Sequence, residues 1–183
     1  MIWINLIDGQ DDEVYEGWVV PEENYVFGLS KFYAKHGIPI GGHIIVKRGD
    51  KPDEVIIDFE AYRPRTEWIR LITFKDNNIH FENDKRAIGA DYDDLMILGI
   101  DDLEALDESV KNIHKQRRSL ASLLHMVIPA LGKLPPQGTA HIKTIYSAIN
   151  VLRRCPPGPI LATLEANPDF ENMGGHYWQL SES

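Results

Sequence analysis

The stretch Phe170-Glu-Asn-Met-Gly-Gly-His-Tyr-Trp-Gln-Leu180 decides how the C-terminal part of this chain folds. Two short runs flank the pair Gly174-Gly175, which is a typical turn of a β-hairpin. In the second run, Trp178 and Leu180 alternate with polar residues, so both are expected to face the core. The dipeptide Asn167-Pro168 precedes the stretch and is expected to end a helix. The pattern therefore predicts a hairpin packed on preceding helices.

Three helices are predicted in front of this hairpin. The first begins near Ser119, a favourable N-cap, and carries apolar residues over 120–131 at the spacing of one helix face. Pro129 is expected to kink or shorten it. The second helix is expected to be capped by Thr139, and the third begins near Pro159, after a proline-rich break.

The order helix, helix, sharp turn, helix, hairpin over residues 119–180 resembles that of winged-helix domains. In DNA-binding members of that family, the third helix enters the major groove and the wing contacts the backbone. The resemblance implies a DNA-binding surface formed by basic residues and by two wing residues. These candidates are Lys133, His141, Lys143, Arg153, Arg154, His176 and Tyr177.

The predicted third helix, residues 159–166, departs from the DNA-binding pattern. It contains no Lys or Arg and carries Glu165, and only Asn167 at its end is a typical base-reading residue. The basic residues elsewhere in the module are suited to phosphate contacts, which position a protein without specifying sequence. Docking of a protein partner, or a scaffold role, therefore stays open beside DNA binding.

Residues 1–100 predict a β-rich, barrel-like domain, because short strand-like runs follow one another with one short helix among them. The helix is expected over 28–37. The strands are expected over 2–7, 13–20, 43–48, 54–59, 66–74 and 79–82, with a turn at Asp76-Asn77-Asn78 and no assignment for 83–100. The chain opens directly into a strand-like run, as expected for a piece of a longer protein.

The segment Gly28-Leu-Ser-Lys-Phe-Tyr-Ala-Lys-His-Gly-Ile-Pro-Ile-Gly-Gly-His-Ile-Ile-Val-Lys-Arg48 is similar to the helix-then-strand segment of B3-type pseudobarrels. Those DNA-binding domains occur in plant transcription factors and in some restriction enzymes. The similarity covers about residues 17–71, with Gly41-Gly42 where Gly-Asp is usual. It implies phosphate contacts from Lys47, Arg48, Arg63 and Arg65, with the last two in an exposed loop. A generic barrel segment with paired surface charges explains the same pattern.

Charge divides the chain near residue 111. Residues 1–110 hold 11 basic and 24 acidic side chains, whereas residues 111–183 hold 8 basic and 4 acidic ones. A helix over 101–118, with an apolar stripe at Leu103, Leu106, Val110 and Ile113, is expected to connect the two parts. The stripe also suits the seam of a homodimer, although it is only about two heptads long. The predicted fold class is α+β, with a β-rich domain 1–100, a connector 101–118 and a winged-helix-like domain 119–183.

Catalytic chemistry has one candidate, a magnesium-dependent nuclease site of Asp53, Asp58 and Glu60, although Glu60 stands where such sites usually place a Lys. The acidic run between Asp91 and Asp102 lacks the glycine-centred calcium-loop pattern. The seven histidines show no metal-binding spacing, and His125 lies among apolar residues, which indicates a core residue. We expect no catalytic residue, no metal and no cofactor.

Composition narrows the function further. The only cysteine, Cys155, cannot form a disulfide within the chain, which fits the cytoplasm. No apolar run approaches the roughly 20 residues that span a bilayer, so no membrane partner is expected. The net charge of −9 requires any nucleic-acid binding to come from a local basic face. The predicted function is non-enzymatic DNA binding, in transcription or DNA processing, with a protein-interaction module and the nuclease as alternatives.

Overall fold

The computed structural model describes residues 1–23, 25–75, 78–135 and 138–181. Its fold is mixed α+β, as predicted, and includes a curled half-barrel sheet. The chain forms two compact units: unit 1 comprises residues 1–67 and 86–93, and unit 2 comprises residues 68–85 and 94–183.

Unit 1 contains a five-stranded sheet. Its strands are β1 (Ile2–Asp8), β2 (Val14–Val20), β3 (Tyr25–Phe27), β4 (Ile45–Arg48) and β5 (Glu54–Asp58), in the order β3-β2-β1-β5-β4. The β1–β5 pair is parallel and the other pairs are antiparallel. Along β1, Ile4 and Leu6 are buried while Trp3 is 47% exposed, the alternation of a strand with one core face. Four of these strands were predicted. The fifth, β3, was not: it is only three residues long and follows a short 3-10 helix (Pro21–Glu23).

Among the described residues of unit 1, one α-helix, α1 (Ser30–His36), contributes to the core. It ends where Gly37 adopts a φ of 62°, a left-handed conformation that glycine reaches without a steric penalty. The fully buried ring of Phe32 meets Tyr15 and Phe59 edge-on, with centroids 6.4 and 6.0 Å away. The predicted helix over 28–37 is therefore confirmed, and its aromatic residue anchors it to the sheet.

A buried carboxylate ties this helix to β1. Asp8 is fully buried, and it accepts hydrogen bonds from His36 Nε2 at 2.6 Å, Lys35 Nζ at 3.2 Å and the backbone N–H of Gln10 at 3.0 Å. Burial alone would raise the pKa of Asp8, but these hydrogen bonds outweigh it and the pKa is lowered from its usual 3.8. Asp8 is therefore a charged structural residue held by α1.

Three further strands form a second sheet, in the order β7-β6-β8. They are β6 (Ala61–Lys75), β7 (Asn78–Ala90) and β8 (Leu98–Ile100), and β8 runs parallel to β6. The strands predicted over 66–74 and 79–82 are present but longer, and residues 83–90 continue β7. Asn78 opens β7, whereas Asp76 and Asn77 of the predicted turn lie outside the described residues.

These long strands explain why the units do not follow the predicted boundaries at residues 100 and 118. Residues 61–67 and 86–90 of β6 and β7 belong to unit 1, whereas 68–75 and 78–85 belong to unit 2. The chain thus passes from unit 1 to unit 2 and back within one pair of strands. A division at a single point in the sequence cannot describe that path.

Unit 2 is otherwise helical, with one small sheet. Its helices are α2 (Leu103–Lys115), α3 (Leu120–Leu131), α4 (Ile142–Leu152) and α5 (Pro157–Ala166). Strand β9 (Ala140–His141) precedes α4, and a hairpin of β10 (Phe170–Gly174) and β11 (Tyr177–Leu180) follows α5. The sheet order is β10-β11-β9, with antiparallel pairs. The predicted helices and hairpin are present; β9, only two residues long, was not predicted.

The ends of these helices tested three expectations. Ser119 caps α3 as predicted, since its hydroxyl accepts a hydrogen bond from the N–H of Ser122 at 3.1 Å. Thr139 does not cap α4: that prediction was wrong, because β9 carries the chain to His141, whose Nδ1 accepts from the N–H of Lys143 at 3.1 Å. Pro129 lies inside α3, which continues past it to Leu131, so Pro129 does not end the helix.

The core of unit 2 comes from all of its elements. Leu124 of α3, Ile145 of α4 and Ile160 of α5 are fully buried, and Trp178 of β11 is 4% exposed. The apolar stripe of α2 is already covered at Leu106 and Ile113, each 8% exposed. The rest of the stripe is less covered, since Leu103 is 67% exposed and Val110 is half-buried, so the alternative dimer seam stays a prediction.

Candidate nucleic-acid interface

Two of the four basic residues predicted in unit 1 have local acidic partners. Lys47 Nζ lies 3.4 Å from Asp58 Oδ2, and Arg65 Nε lies 3.9 Å from Glu67 Oε1. The Arg65 guanidinium also stacks 4.8 Å above the ring of Tyr62. These contacts favour the alternative of paired surface charges for this set.

The other two basic residues of this set lie on exposed strand positions. Arg48 ends the edge strand β4, and Arg63 is an exposed residue of β6. The exposed loop predicted for Arg63 and Arg65 is wrong, because both lie inside the fifteen-residue strand β6.

The carboxylates of the nuclease alternative do not form a metal site. Asp53 precedes β5 and Asp58 ends it, and five residues of extended chain separate them by about 16 Å. Asp53 accepts a hydrogen bond from Asn5 at 2.9 Å, and Asp58 accepts one from Gln10 at 2.6 Å. Within the residues that the structure describes, no three His, Cys, Asp or Glu side chains come together so as to hold a metal ion.

In unit 2, four predicted residues meet at the start of α4, in a group that we call the histidine corner: His141, Lys143, His176 and Tyr177. The backbones of His141 and Tyr177 pair across β9 and β11, and the N–H of Ile142 donates to the carbonyl of His176 at 2.9 Å. The His141 ring lies 5.0 Å from that of Tyr177 and 6.2 Å from that of His176. Lys143 is exposed in the first turn of α4, so a cation, two imidazoles and a phenol share the positive end of a helix.

The remaining predicted basic residues lie elsewhere in unit 2. Lys133 lines a surface hollow of about 280 Å³ with Gln179 and Leu180, at the far end of β11 from Tyr177. Arg153 and Arg154 follow α4, whose eleven residues separate them from Lys143 by about 16 Å. The seven predicted residues therefore do not form one patch.

Arg153 belongs instead to a second group, the basic cleft, which has a volume of about 370 Å³. Its lining residues are Ile113, His114, Arg117, Arg118, Leu123 and Arg153. The sequence prediction assigned Arg117 and Arg118 to the end of the connector helix and did not consider His114 as a binding residue. The run Lys115-Gln-Arg-Arg-Ser119, between two helices, is the signal that marks this concentration of charge.

Helix α5 is as poor in polar groups as its sequence predicts. Its buried side carries Ile160 and Leu164, and its exposed positions include Gly158, Ala162 and Glu165. Among the residues described for α5, none is an Arg or Lys, the residues that typically read guanine.

His125 and Cys155 were singled out by the sequence and lie outside both groups. His125 is half-buried at the surface of α3, with its Nε2 3.1 Å from Asp169 Oδ2 and its ring 4.7 Å from that of Phe170, so its predicted core position is only partly correct. Cys155 is buried, and burial raises the pKa of its thiol. Its backbone is held by the side chain of Asn150, which fits a structural role.

No protein-family model, no curated protein and no solved structure matches the chain. Among the described residues, no helix combines the length and apolar composition needed to cross a membrane.

Proposed function

We propose that this protein is a non-enzymatic DNA-binding protein whose unit 2 is a winged-helix-type domain. In this proposal α3, α4 and α5 are the three helices of the domain, and the hairpin of β10 and β11 is its wing. The order of these elements supports the assignment, as does the pairing of β9 with β11, which joins the wing to the start of α4.

The histidine corner is the observation that carries the proposal. The helix end beneath Lys143 has a positive partial charge, and Lys143 adds a full positive charge close to it. His176 and Tyr177 bring hydrogen-bonding groups from the wing to the same place. A duplex phosphate placed there would contact both the helix and the wing.

This binding would recognise the backbone and not the bases. In DNA-binding members of the resembled family, the third helix makes the major-groove contacts. Helix α5 has that position here, but its exposed residues are mainly small and apolar. Phosphate contacts position a protein on DNA without selecting a sequence. We therefore expect similar affinities for unrelated duplexes.

The test is duplex binding as a function of salt, measured by the anisotropy of a labelled duplex. Removing one cation that neutralises a phosphate lowers the slope of log affinity against log salt by about 0.9. Lys143→Gln is expected to lower this slope by about one, whereas the matched control Lys75→Gln, which removes an exposed charge of β6 in the same unit, leaves it unchanged. The absence of binding at low salt, or equal slopes for wild type and Lys143→Gln, would contradict the proposal.

A second candidate function, docking of a protein partner, is favoured by the surface of α5. Exposed small residues such as Gly158 and Ala162 allow close approach of another backbone. A photo-crosslinking residue at Ala162 would then form an adduct with one discrete protein in cells. A crosslink to DNA would favour the first proposal.

A further inference from the structure

The basic cleft lies where α2 ends, α3 begins and α4 ends, at the opposite end of α4 from the histidine corner. We infer that it binds the phosphate groups of a small phosphorylated ligand. This inference does not depend on DNA binding, because it uses different residues and a different shape.

The lining of the cleft is rich in basic side chains. Three guanidinium groups and one imidazole line the cleft, and no carboxylate of the described residues lines it. Within the described part of the chain, neither Arg117 nor Arg153 forms an ion pair with a carboxylate. The chain as a whole has a net charge of −9, so this concentration of positive charge is local. A bound anion would relieve the mutual repulsion of these groups.

Two of the four basic side chains are also held in place. Arg118 donates from Nε to Gln116 Oε1 at 2.7 Å and from a terminal nitrogen to the sulfur of Met126 at 3.4 Å. His114 Nε2 lies 3.2 Å from the carbonyl oxygen of Leu152, so this nitrogen carries the proton and donates. Groups fixed before binding lose less conformational freedom when a ligand arrives.

The backbone of Arg117 has an unusual conformation. Its φ of 49° lies in the left-handed region, where a residue with a Cβ is strained and where helices usually end with glycine. Such strain is typical of positions where the side chain serves a function. Here the strained residue directs an arginine to the cleft.

Shape and chemistry define the ligand class. A volume of about 370 Å³ fits the range of small-molecule sites, and Ile113 and Leu123 supply an apolar surface beside the charges. The planar guanidinium fork matches two oxygens of a phosphate group. One or two phosphates on a small molecule satisfy both features better than a long polyanion.

The experiment is calorimetric titration of the full chain with inorganic pyrophosphate at physiological salt, with malonate as a dicarboxylate comparison. We expect saturable binding of pyrophosphate at one site, and at least tenfold weaker binding of malonate. Arg153→Gln should weaken pyrophosphate binding by about tenfold or more, because it removes charge-assisted hydrogen bonds. Arg153→Lys keeps the charge but not the planar guanidinium fork. Its affinity for pyrophosphate should lie between those of the wild type and of Arg153→Gln.

The control Lys75→Gln removes one positive charge from β6 and should change pyrophosphate affinity less than twofold. Absence of saturable binding up to millimolar pyrophosphate would overturn the inference, as would equal effects of Arg153→Gln and Lys75→Gln. Displacement of pyrophosphate by duplex DNA in the wild type would also overturn it, because the cleft would then hold the DNA backbone. If Arg153→Gln does not give a folded protein by circular dichroism, Arg117→Gly provides the same test.

Discussion

Replacing Arg117 by glycine should make the protein more stable and its basic cleft weaker. Arg117 follows the last residues of α2 with a φ of 49°, and its N–H donates to the carbonyl of His114 at 3.1 Å. A left-handed conformation costs a residue with a Cβ about 1–2 kcal/mol, and glycine avoids that cost. Glycine loses about 0.5–1 kcal/mol more backbone entropy on folding. Subtracting the midpoints of these two ranges leaves a net gain in unfolding free energy of about 0.75 kcal/mol for Arg117→Gly.

For a chain of this size, that gain raises the melting temperature by about 1–4 °C. Thermal unfolding followed by circular dichroism measures this shift, and titration with pyrophosphate measures the cleft in the same samples. Gln116→Gly is the matched control for the thermal shift alone: Gln116 has a φ of −75°, so glycine relieves no strain there and should lower stability. It is not a control for pyrophosphate binding, because the Gln116 side chain accepts a hydrogen bond from Arg118 of the cleft. An Arg117→Gly variant that melts at or below the wild-type temperature and binds pyrophosphate normally would refute the reasoning.

Three further predictions concern stability. Asp8→Asn removes a fully buried carboxylate and should cost about 1–3 kcal/mol at pH 7. Because the pKa of Asp8 is lowered in the folded state, its contribution is present above pH 3.8 and is lost as the pH falls below it, so urea unfolding should show a smaller difference between wild type and variant at pH 3 than at pH 7. Leu124→Ala empties a fully buried position of α3 and should cost about 2–5 kcal/mol in the same assay; a cost near zero would contradict the described core. Asn150→Ala removes hydrogen bonds that its amide makes with Tyr146 and with both backbone polar groups of Cys155, and should lower stability by about 1–3 kcal/mol, whereas Cys155 would become more reactive toward thiol reagents.

Local signals in the sequence predicted the elements of unit 2 well. Ser119 caps α3, the run over 120–131 is helical throughout, and a hairpin follows α5. Its two turn residues are Gly175 and His176, one position after the predicted pair, because Gly174 ends β10 and pairs with Tyr177. Each of these features depends on a few neighbouring residues, so the sequence alone contains the required information. The cap of α4 was misplaced because β9 depends on pairing with β11, which is distant in the sequence.

The division into units could not be predicted from the sequence in the same way. The change of charge near residue 111 suggested a boundary at one point, but the strands β6 and β7 each contribute residues to both units. Strand length is set by pairing between distant residues, whereas periodicity shows only where a run of apolar residues begins and ends. The pattern therefore gave 66–74 for a strand that extends over 61–75.

The candidate sites show the same limit. The sequence supplied His141, Lys143, His176 and Tyr177 as separate members of one basic and wing set, and the pairing of β9 with β11 brings these four together. It also placed Arg153 in that set, although a helix of eleven residues separates it from Lys143. The cleft was missed because its four basic groups come from three elements and only Arg117 and Arg118 are adjacent in sequence.

The two ends of α4 are suited to different roles by the same helix dipole. At the start of α4 the partial charge is positive, so it adds to Lys143 and favours a phosphate directly. At the end of α4 the partial charge is negative, so it stabilises the Arg153 cation in the absence of a ligand. The cleft can therefore keep its positive charges together while it is empty, which a binding site for a dissociating ligand requires. Separate sites of this kind imply that Lys143→Gln impairs duplex binding and Arg153→Gln impairs pyrophosphate binding, and a parallel decrease of both activities in either variant would show that the two ends form one surface.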